Sequence, residues 1–272
     1  MSTQHLSAHI GYLYTELGLI DRIGAAARDG FTAIEHPNPL SVDAKAMLAQ
    51  LQEHGLVFSQ MAAASGDAAR GEKGITALPG REAEFRDALL RSLDYAETIG
   101  CPLVHPMAGA VDGAVDGDRQ RAEETYRTNL AFAVEQCRDR PVRILIEAIS
   151  DKVVANYFLS NLEQAIAFGD QVGSADETVL LVDTFHAAAN GADLTAFIAA
   201  HVARIGHVHI ADAPGRHEPG TGGLDLTSTL KTLLAHGYEH AIGFEYIPSK
   251  STGETLSWMP SWKDLLSGAA TR

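Results

Sequence analysis

Four side chains able to ligate a metal ion each stand at the close of a short apolar run: Glu147 after RILI, Asp183 after VLLV, His209 within GHVHIAD and Glu245 within AIGFEY. Three carboxylates and one imidazole make a hard, mixed oxygen–nitrogen donor set. Such a set suits one divalent ion, Mn2+ or Mg2+ first, with Co2+ and Zn2+ also compatible, and leaves coordination positions for two substrate oxygens. Taken singly, each residue has an ordinary explanation. An Asp or Glu at a strand end commonly caps a helix or forms half an ion pair, and an isolated His is commonly just hydrogen-bonded. The recurrence at four consecutive strand ends is what points to metal-assisted chemistry.

Other polar residues join them at strand exits. Asp183 is followed by Thr184, Phe185 and His186, so His186 is placed to touch substrate or to orient a ligand. Glu35 and His36 close FTAIEHP and His105 lies in PLVHPMAG; each is either a substrate contact or an ordinary hydrogen-bonded side chain. His9 says less. Tyr12 and Phe185 form an apolar wall or pack beneath the site. Beyond His209, Arg216 offers paired guanidinium donors to a substrate carboxylate, with a structural salt bridge as the plain alternative, and Glu218 orients His186 or a loop amide.

The elements that would carry these residues alternate regularly. Apolar strand candidates lie near residues 6–13, 31–35, 56–61, 102–107, 142–147, 178–183, 206–211 and 241–246. Amphipathic helix candidates fill the gaps, including LGLIDRIGAAARDG, AKAMLAQLQEHG, REAEFRDALLRSLDYAETIG, RAEETYRTNLAFAVEQCRD, NLEQAIAFGDQVG and DLTAFIAAHVARIG, many closing on Gly. Eight βα units predict a single (β/α)8 TIM barrel, an α/β fold with its active site at the C-terminal strand ends; a doubly wound open sheet needs fewer strands. No GxGxxG follows the first strand, which argues against a dinucleotide. Three long loops, MAAASGDAARGEKGITALPGRE, MAGAVDGAVDGDRQ and ADAPGRHEPGTGGLDL, are expected on the active mouth, where they could cover a small ligand. SKSTGETLSWMPSWKDLL reads as a docking helix anchored by Trp258 and Trp262, or as a terminal cap of the barrel.

At 272 residues and 46% hydrophobic, the chain can bury a full core, and no Pro/Gly/Ser-rich linker divides it, so residues 1–272 are expected to form one domain. Thirty-five acidic against 21 basic residues give a formal charge of -14, which opposes nucleic-acid binding. Even DRQRAEETYR carries as much acid as base. Cys101 and Cys137 show no zinc spacing and read as inert thiols. No apolar run reaches membrane-spanning length, so a soluble cytoplasmic protein is expected, with no membrane partner. Self-association into a homo-oligomer is plausible for such a barrel.

The segments ALPGREAEFR, VHPMAG, the Glu147 strand with the following NYFLSN, DTFHAA, HVHIADAPGRHEPGTGG and GFEYIP together resemble hydroxypyruvate isomerases within the xylose-isomerase-like barrel superfamily, across nearly the whole chain. The resemblance implies an aldose–ketose isomerase that interconverts hydroxypyruvate and 2-hydroxy-3-oxopropanoate through an enediolate. It makes Glu147 and Glu245 both metal ligands and the acid/base pair, completes the metal shell with Asp183 and His209, and places His186 and Arg216 beside substrate oxygens. The chain departs from that pattern at four points. His209 stands where these isomerases usually carry Gln and ketose 3-epimerases carry His. Ala148 replaces a Pro, Phe185 a Tyr, and Gly223 an acidic residue. A 3-epimerase, a metal-dependent 3-oxo acid decarboxylase and a non-catalytic binding protein are the other readings. A phosphate-cleaving endonuclease of the same superfamily would want more metal ligands and a less acidic chain.

Overall fold

The computed structural model describes residues 4–111 and 118–269. Its strands are β1 (Leu6–His9), β2 (Ala33–His36), β3 (Val57–Ala63), β4 (Leu103–Pro106), β5 (Arg143–Glu147), β6 (Thr178–Asp183), β7 (Ile205–Ile210) and β8 (Ile242–Phe244). They pair in parallel in chain order, and β1 also pairs with β8, so the sheet closes into a barrel. Helices α1 (Leu19–Arg28), α2 (Ala44–His54), α3 (Glu82–Ile99), α4 (Asp118–Cys137), α5 (Leu162–Val172), α6 (Thr184–Asn190), α7 (Leu194–His201), α8 (Leu226–Ala235) and α9 (Met259–Ala269) surround it. The chain is a (β/α)8 TIM barrel. No helix among the described residues is long and apolar enough to cross a membrane.

Local signals set the boundaries. Asp43 caps α2 by accepting from Lys45 N and Ala46 N, and Gly55 ends that helix with a left-handed φ of 66°. Asn161, Asp193 and Asp225 cap α5, α7 and α8 in the same way. Three elements differ from the sequence expectation. β1 is shorter than residues 6–13, because the backbone turns after His9, with Tyr12 N and Leu13 N both donating to His9 O. The DLTAFIAAHVARIG helix stops at His201 and passes through one 3-10 turn, Val202–Arg204, into β7. A helix that periodicity gave no sign of, α6, starts directly at the end of β6.

Residues two apart share a face of a strand, so each inward-facing position recurs with period two. Half of the barrel interior is apolar: Leu103, Leu145, Val179 and Leu181, on β4 to β6, form a buried cluster of their own, separate from the main core between strands and helices. The other half is polar. Ser7, Glu35, Ser59 and His207 are buried there and hydrogen-bonded to one another. At the C-terminus, Trp258 stacks on Phe244 with ring centroids 3.9 Å apart, and Trp262 meets the same ring edge-on at 5.3 Å. The two tryptophans therefore pack on the outer face of β8 within this chain. Cys101 and Cys137 are buried free thiols, and burial pushes both up to about 12, consistent with inertness.

The long loop after β3 is stitched to the exit of β4. Gly74 bridges Ala108 in antiparallel fashion, Thr76 N donates to Met107 O, and Ala77 N donates to Ala108 O. The loop after β4 is described only to Val111; its expected span includes residues 112–117, which lie outside the described residues. Gly74 has a φ of +118°, and a Cβ there would sit 2.3 Å from Met107 O. Gly74→Ala should cost roughly 1–3 kcal/mol or more through backbone strain, read as a lowered urea midpoint with an unchanged slope.

Candidate active site

Period two explains how the barrel mouth acquires its polar residues. Two positions beyond Leu145, Leu181, His207 and Gly243 come Glu147, Asp183, His209 and Glu245, and beyond Ser7 and Leu103 come His9 and His105. Ligand atoms of Glu147, Asp183, His209 and Glu245 all lie within 4.8 Å of one another. Asp183 fills both roles that a strand-end carboxylate can have. Its Oδ1 caps α6, accepting from Phe185 N at 2.7 Å and His186 N at 3.0 Å, while its Oδ2 faces the cluster. The unexpected helix is thus nucleated by a member of the cluster, and it turns His186 toward the mouth.

Arg216 lies across the carboxylates. Its Nη2 donates to Asp183 Oδ2 at 2.9 Å and Glu245 Oε2 at 2.6 Å, its Nη1 lies 3.2 Å from His186 Nε2, and its Nε donates to Glu245 O at 3.3 Å. The guanidinium carbon sits 5.3 Å from the ring centres of both Tyr12 and Phe185, so the two aromatics sandwich it. Sequence reasoning offered Arg216 as a clamp for a substrate carboxylate or as a structural salt bridge. In this structure its donors are committed to Asp183, Glu245 and His186.

The loop that presents Arg216 is organised by a residue the sequence reading passed over. Asp212 is fully buried, and its carboxylate accepts from four backbone amides: Ala213 N, Gly220 N, Gly222 N and Leu224 N. Burial opposes its ionisation, yet the four donors outweigh burial and hold the carboxyl below the usual range. Glu218 accepts from Ser249 N and Ser249 Oγ, tying this loop to the chain beyond β8; it orients a loop amide, not His186.

A cavity of about 370 Å3 opens over the cluster, lined in part by His9, Tyr12, Gln60, Lys73, His105 and His186 as well as Glu147, His209, Arg216 and Glu245. A larger groove of about 600 Å3 runs along the outside of the barrel beside α5 and α7, but the carboxylates and rings gather at the strand ends, not there. Of the expected contacts, His186, Arg216 and His105 line the cavity, with His105 Nδ1 at 3.4 Å from Glu147 Oε2. Glu35 does not. It is fully buried behind His209, with Oε2 2.6 Å from His207 Nε2 and Oε1 3.3 Å from His209 Nε2. His36 is likewise outside the lining; its Nδ1 accepts from Asn38 N. Gln60, Lys73 and His207 went unread in the sequence and His9 was given little weight, although the alternation in HVH places His207 and His209 on one inner face.

The electrostatics of the two glutamates differ. Burial pushes the Glu147 carboxyl well above its ordinary value, and Glu245 and Asp183 push further in the same direction. Burial acts on Glu245 too, but Arg216, His9 and His209 outweigh it and hold that carboxyl well below the ordinary value. His209 rises because Glu245 and Glu35 outweigh burial, whereas burial lowers His105 to about 3. Three features fit a bound cation. The donors are carboxylate oxygens and one imidazole. Glu147 is buried against other carboxylates. His209 Nδ1 is buried and, although 2.8 Å from Glu245 Oε2, is out of line for a hydrogen bond.

A family model described as "Xylose isomerase-like TIM barrel" matches residues 23–262. The chain belongs to that family. It is 38% identical over 253 residues to the 2-oxo-tetronate isomerase of Cupriavidus necator, covering 93% of this chain and 96% of that one. It is 35% identical over 269 residues to the putative hydroxypyruvate isomerase of Mus musculus, covering 97% of each. Among solved structures, a protein titled as an AP endonuclease, family 2, from Brucella melitensis superposes with a TM-score of 0.90 at 29% identity, covering 95% of this chain and 99% of that one. Family membership and the ligand cluster together make the chain an isomerase-like enzyme.

Asp212 supplies a test of how the site is held. Asp212→Asn should lower stability by roughly 1–3 kcal/mol, because one amide oxygen cannot serve all four donors. Faster hydrogen exchange confined to residues 213–224 should accompany the lower urea midpoint.

Proposed function

We propose that this protein is a metal-dependent aldose–ketose isomerase of short hydroxy-oxo acids, with hydroxypyruvate and 2-hydroxy-3-oxopropanoate as the reacting pair. The observation that carries the reading is the placement of Glu147 and Glu245 on β5 and just beyond β8, in one cavity, with ligand atoms within 4.8 Å of each other and of Asp183 and His209. A bound Mn2+ or Mg2+ would be held by those four side chains and would supply Lewis-acid polarisation of the substrate carbonyl. The rest of the chemistry belongs to the chain. Glu245, beside Arg216, His209 and His9, is the carboxylate that removes the proton from the carbon next to the carbonyl. Glu147, whose Oε2 lies 3.4 Å from Nδ1 of the neutral His105 ring and whose carboxyl is held protonated by burial, gives its own proton to the adjacent carbon, while the substrate's hydroxyl proton passes to the former carbonyl oxygen. In the reverse direction the two exchange tasks. His186 Nδ1 is buried without a partner, which suits it to donate to a substrate oxygen.

Because Arg216 is committed to the cluster, the substrate carboxylate needs another cation. Lys73, on the loop after β3, lines the cavity and is exposed. Its neighbour Glu72 is occupied by Arg70 at 2.6 Å, Arg81 at 3.0 Å and Asp67 N at 2.7 Å, so among the described residues no carboxylate pairs with Lys73. 2-Oxo-tetronate, in the name of the Cupriavidus necator relative, presents the same carboxylate and hydroxy-carbonyl pattern, and the same residues would serve it. One observation favours a second reading, a ketose 3-epimerase: an imidazole at position 209, in a site whose two glutamates can also return the proton to the same carbon.

Product analysis with Mn2+, Mg2+ or Co2+ over hydroxypyruvate, 2-oxo-tetronate, tetruloses and free ketohexoses should show proton transfer between adjacent carbons of the acids. Epimerised ketoses with untouched acids would instead establish the second reading. Glu147→Gln and Glu245→Gln should each lower kcat about 10²–10⁴-fold; full activity in both, with metal bound, would defeat the acid/base assignment. Lys73→Met should raise KM for the acids about tenfold and leave neutral ketoses unchanged, and an equal effect on both classes would remove Lys73 from carboxylate recognition.

A further inference from the structure

The residue with the least obvious purpose is Glu35, a carboxylate with no exposed surface that stays out of the lining of the cavity over the cluster. It reaches from β2 across the barrel interior to β7. Ser59 Oγ lies 3.0 Å from its Oε2, His207 Nε2 lies 2.6 Å from the same oxygen, and Ser7 Oγ backs Ser59 at 2.7 Å. Room for the carboxylate comes from β8: a Cβ on Gly243 would sit 2.2 Å from Glu35 Oε1, 2.7 Å from His207 Nε2 and 2.8 Å from His209 Cδ2. The remaining oxygen, Oε1, has no hydrogen-bond partner and lies 3.3 Å from His209 Nε2. The Gln60 amide flanks the same ring nitrogen at 3.4 Å.

We propose that Glu35 is a positioning residue for His209: seated behind the ring, it keeps the Nε2 edge turned inward and the Nδ1 edge turned toward Glu147, Asp183 and Glu245. The inference rests on the reading that those three carboxylates and His209 hold a divalent cation. A ring nitrogen can ligate only through an unprotonated lone pair, and which nitrogen that is depends on what the other one faces. Nδ1 lies 2.8 Å from Glu245 Oε2 and 4.0 Å from Asp183 Oδ2, so the edge away from Glu35 is the one presented to the cluster. Simple filling of the barrel does not call for this arrangement. The opposite half of the same interior is filled by Leu103, Leu145, Val179 and Leu181, whereas burying a carboxylate is costly unless its partners repay it. The polar half lies under His209.

Calorimetric titration of the metal-free full chain with Mn2+ tests this without substrate. Glu35→Gln should lower Mn2+ affinity about 10–100-fold. In a His209→Gln background, where there is no ring to orient, the same change should shift affinity by less than about threefold. Unchanged affinity in the single variant would overturn the proposal, and so would an equal loss in both backgrounds, which would mark a general structural role. Two Mn2+ per wild-type chain, the second lost with Glu35→Gln, would also overturn it, by making Glu35, His207 and His209 ligands of their own site. Should circular dichroism show Glu35→Gln to be unfolded, Ser59→Ala, which removes one donor to Glu35, should weaken Mn2+ about fivefold, and no change there would count against the proposal. A wild type that shows this Mn2+ pattern yet turns over no acid would refute the isomerase reading and leave the role of Glu35 standing.

Discussion

Three carboxylates brought together out of water repel one another, and the architecture of this barrel mouth is largely the answer to that repulsion. Arg216 bridges Asp183 and Glu245, and Tyr12 and Phe185 hold the guanidinium flat between them. The loop bearing Arg216 is itself wound around the buried Asp212 and tied by Glu218 to Ser249. One acidic residue thus orders the loop that neutralises others. Glu147 receives least compensation, which is why its proton affinity departs so far from that of Glu245. A divalent ion among these oxygens would relieve the same repulsion, so binding and stability are coupled through a single electrostatic term.

The barrel was legible because its strands are apolar runs of barrel length separated by amphipathic helices, and because parallel strands buried on both faces leave few polar interruptions. The cluster was legible for a related reason: Glu147, Asp183, His209 and Glu245 are polar residues that end such runs. What stayed hidden depends on depth and on neighbours across the barrel. Nothing local in FTAIEHP says that Glu35 points behind His209 instead of into the cavity, since that follows from the missing side chain at Gly243, far along the chain. His207 was hidden in plain alternation with His209. The first strand ended early because a turn at His9 cost no hydrophobic contact, and α6 arose from a cap, Asp183, in a stretch with no helical period.

The loops show the same division. Length and glycine content point to coverage of a ligand, but only the fold reveals that Gly74 is needed for backbone to pass against backbone, or that Asp212 gathers four amides spread over a dozen residues. Interactions that join distant segments through main-chain atoms leave almost no imprint on residue type. Lys73, by contrast, carries its chemistry openly; what the sequence lacks is the fact that its neighbour Glu72 is already spoken for by two arginines.

The pairing of β1 with β8 has a consequence during synthesis. A ribosome releases Glu147, Asp183 and His209 in order, but the seam cannot seal until β8 emerges, and Glu245 and the two tryptophans that pack on Phe244 come after it. A nascent chain therefore exposes most of its acidic mouth before it has the last carboxylate or a closed hydrogen-bond ring to hold it. The four side chains of the cluster come together only once β8 has paired with β1, so the site depends on the longest-range contact of the sheet.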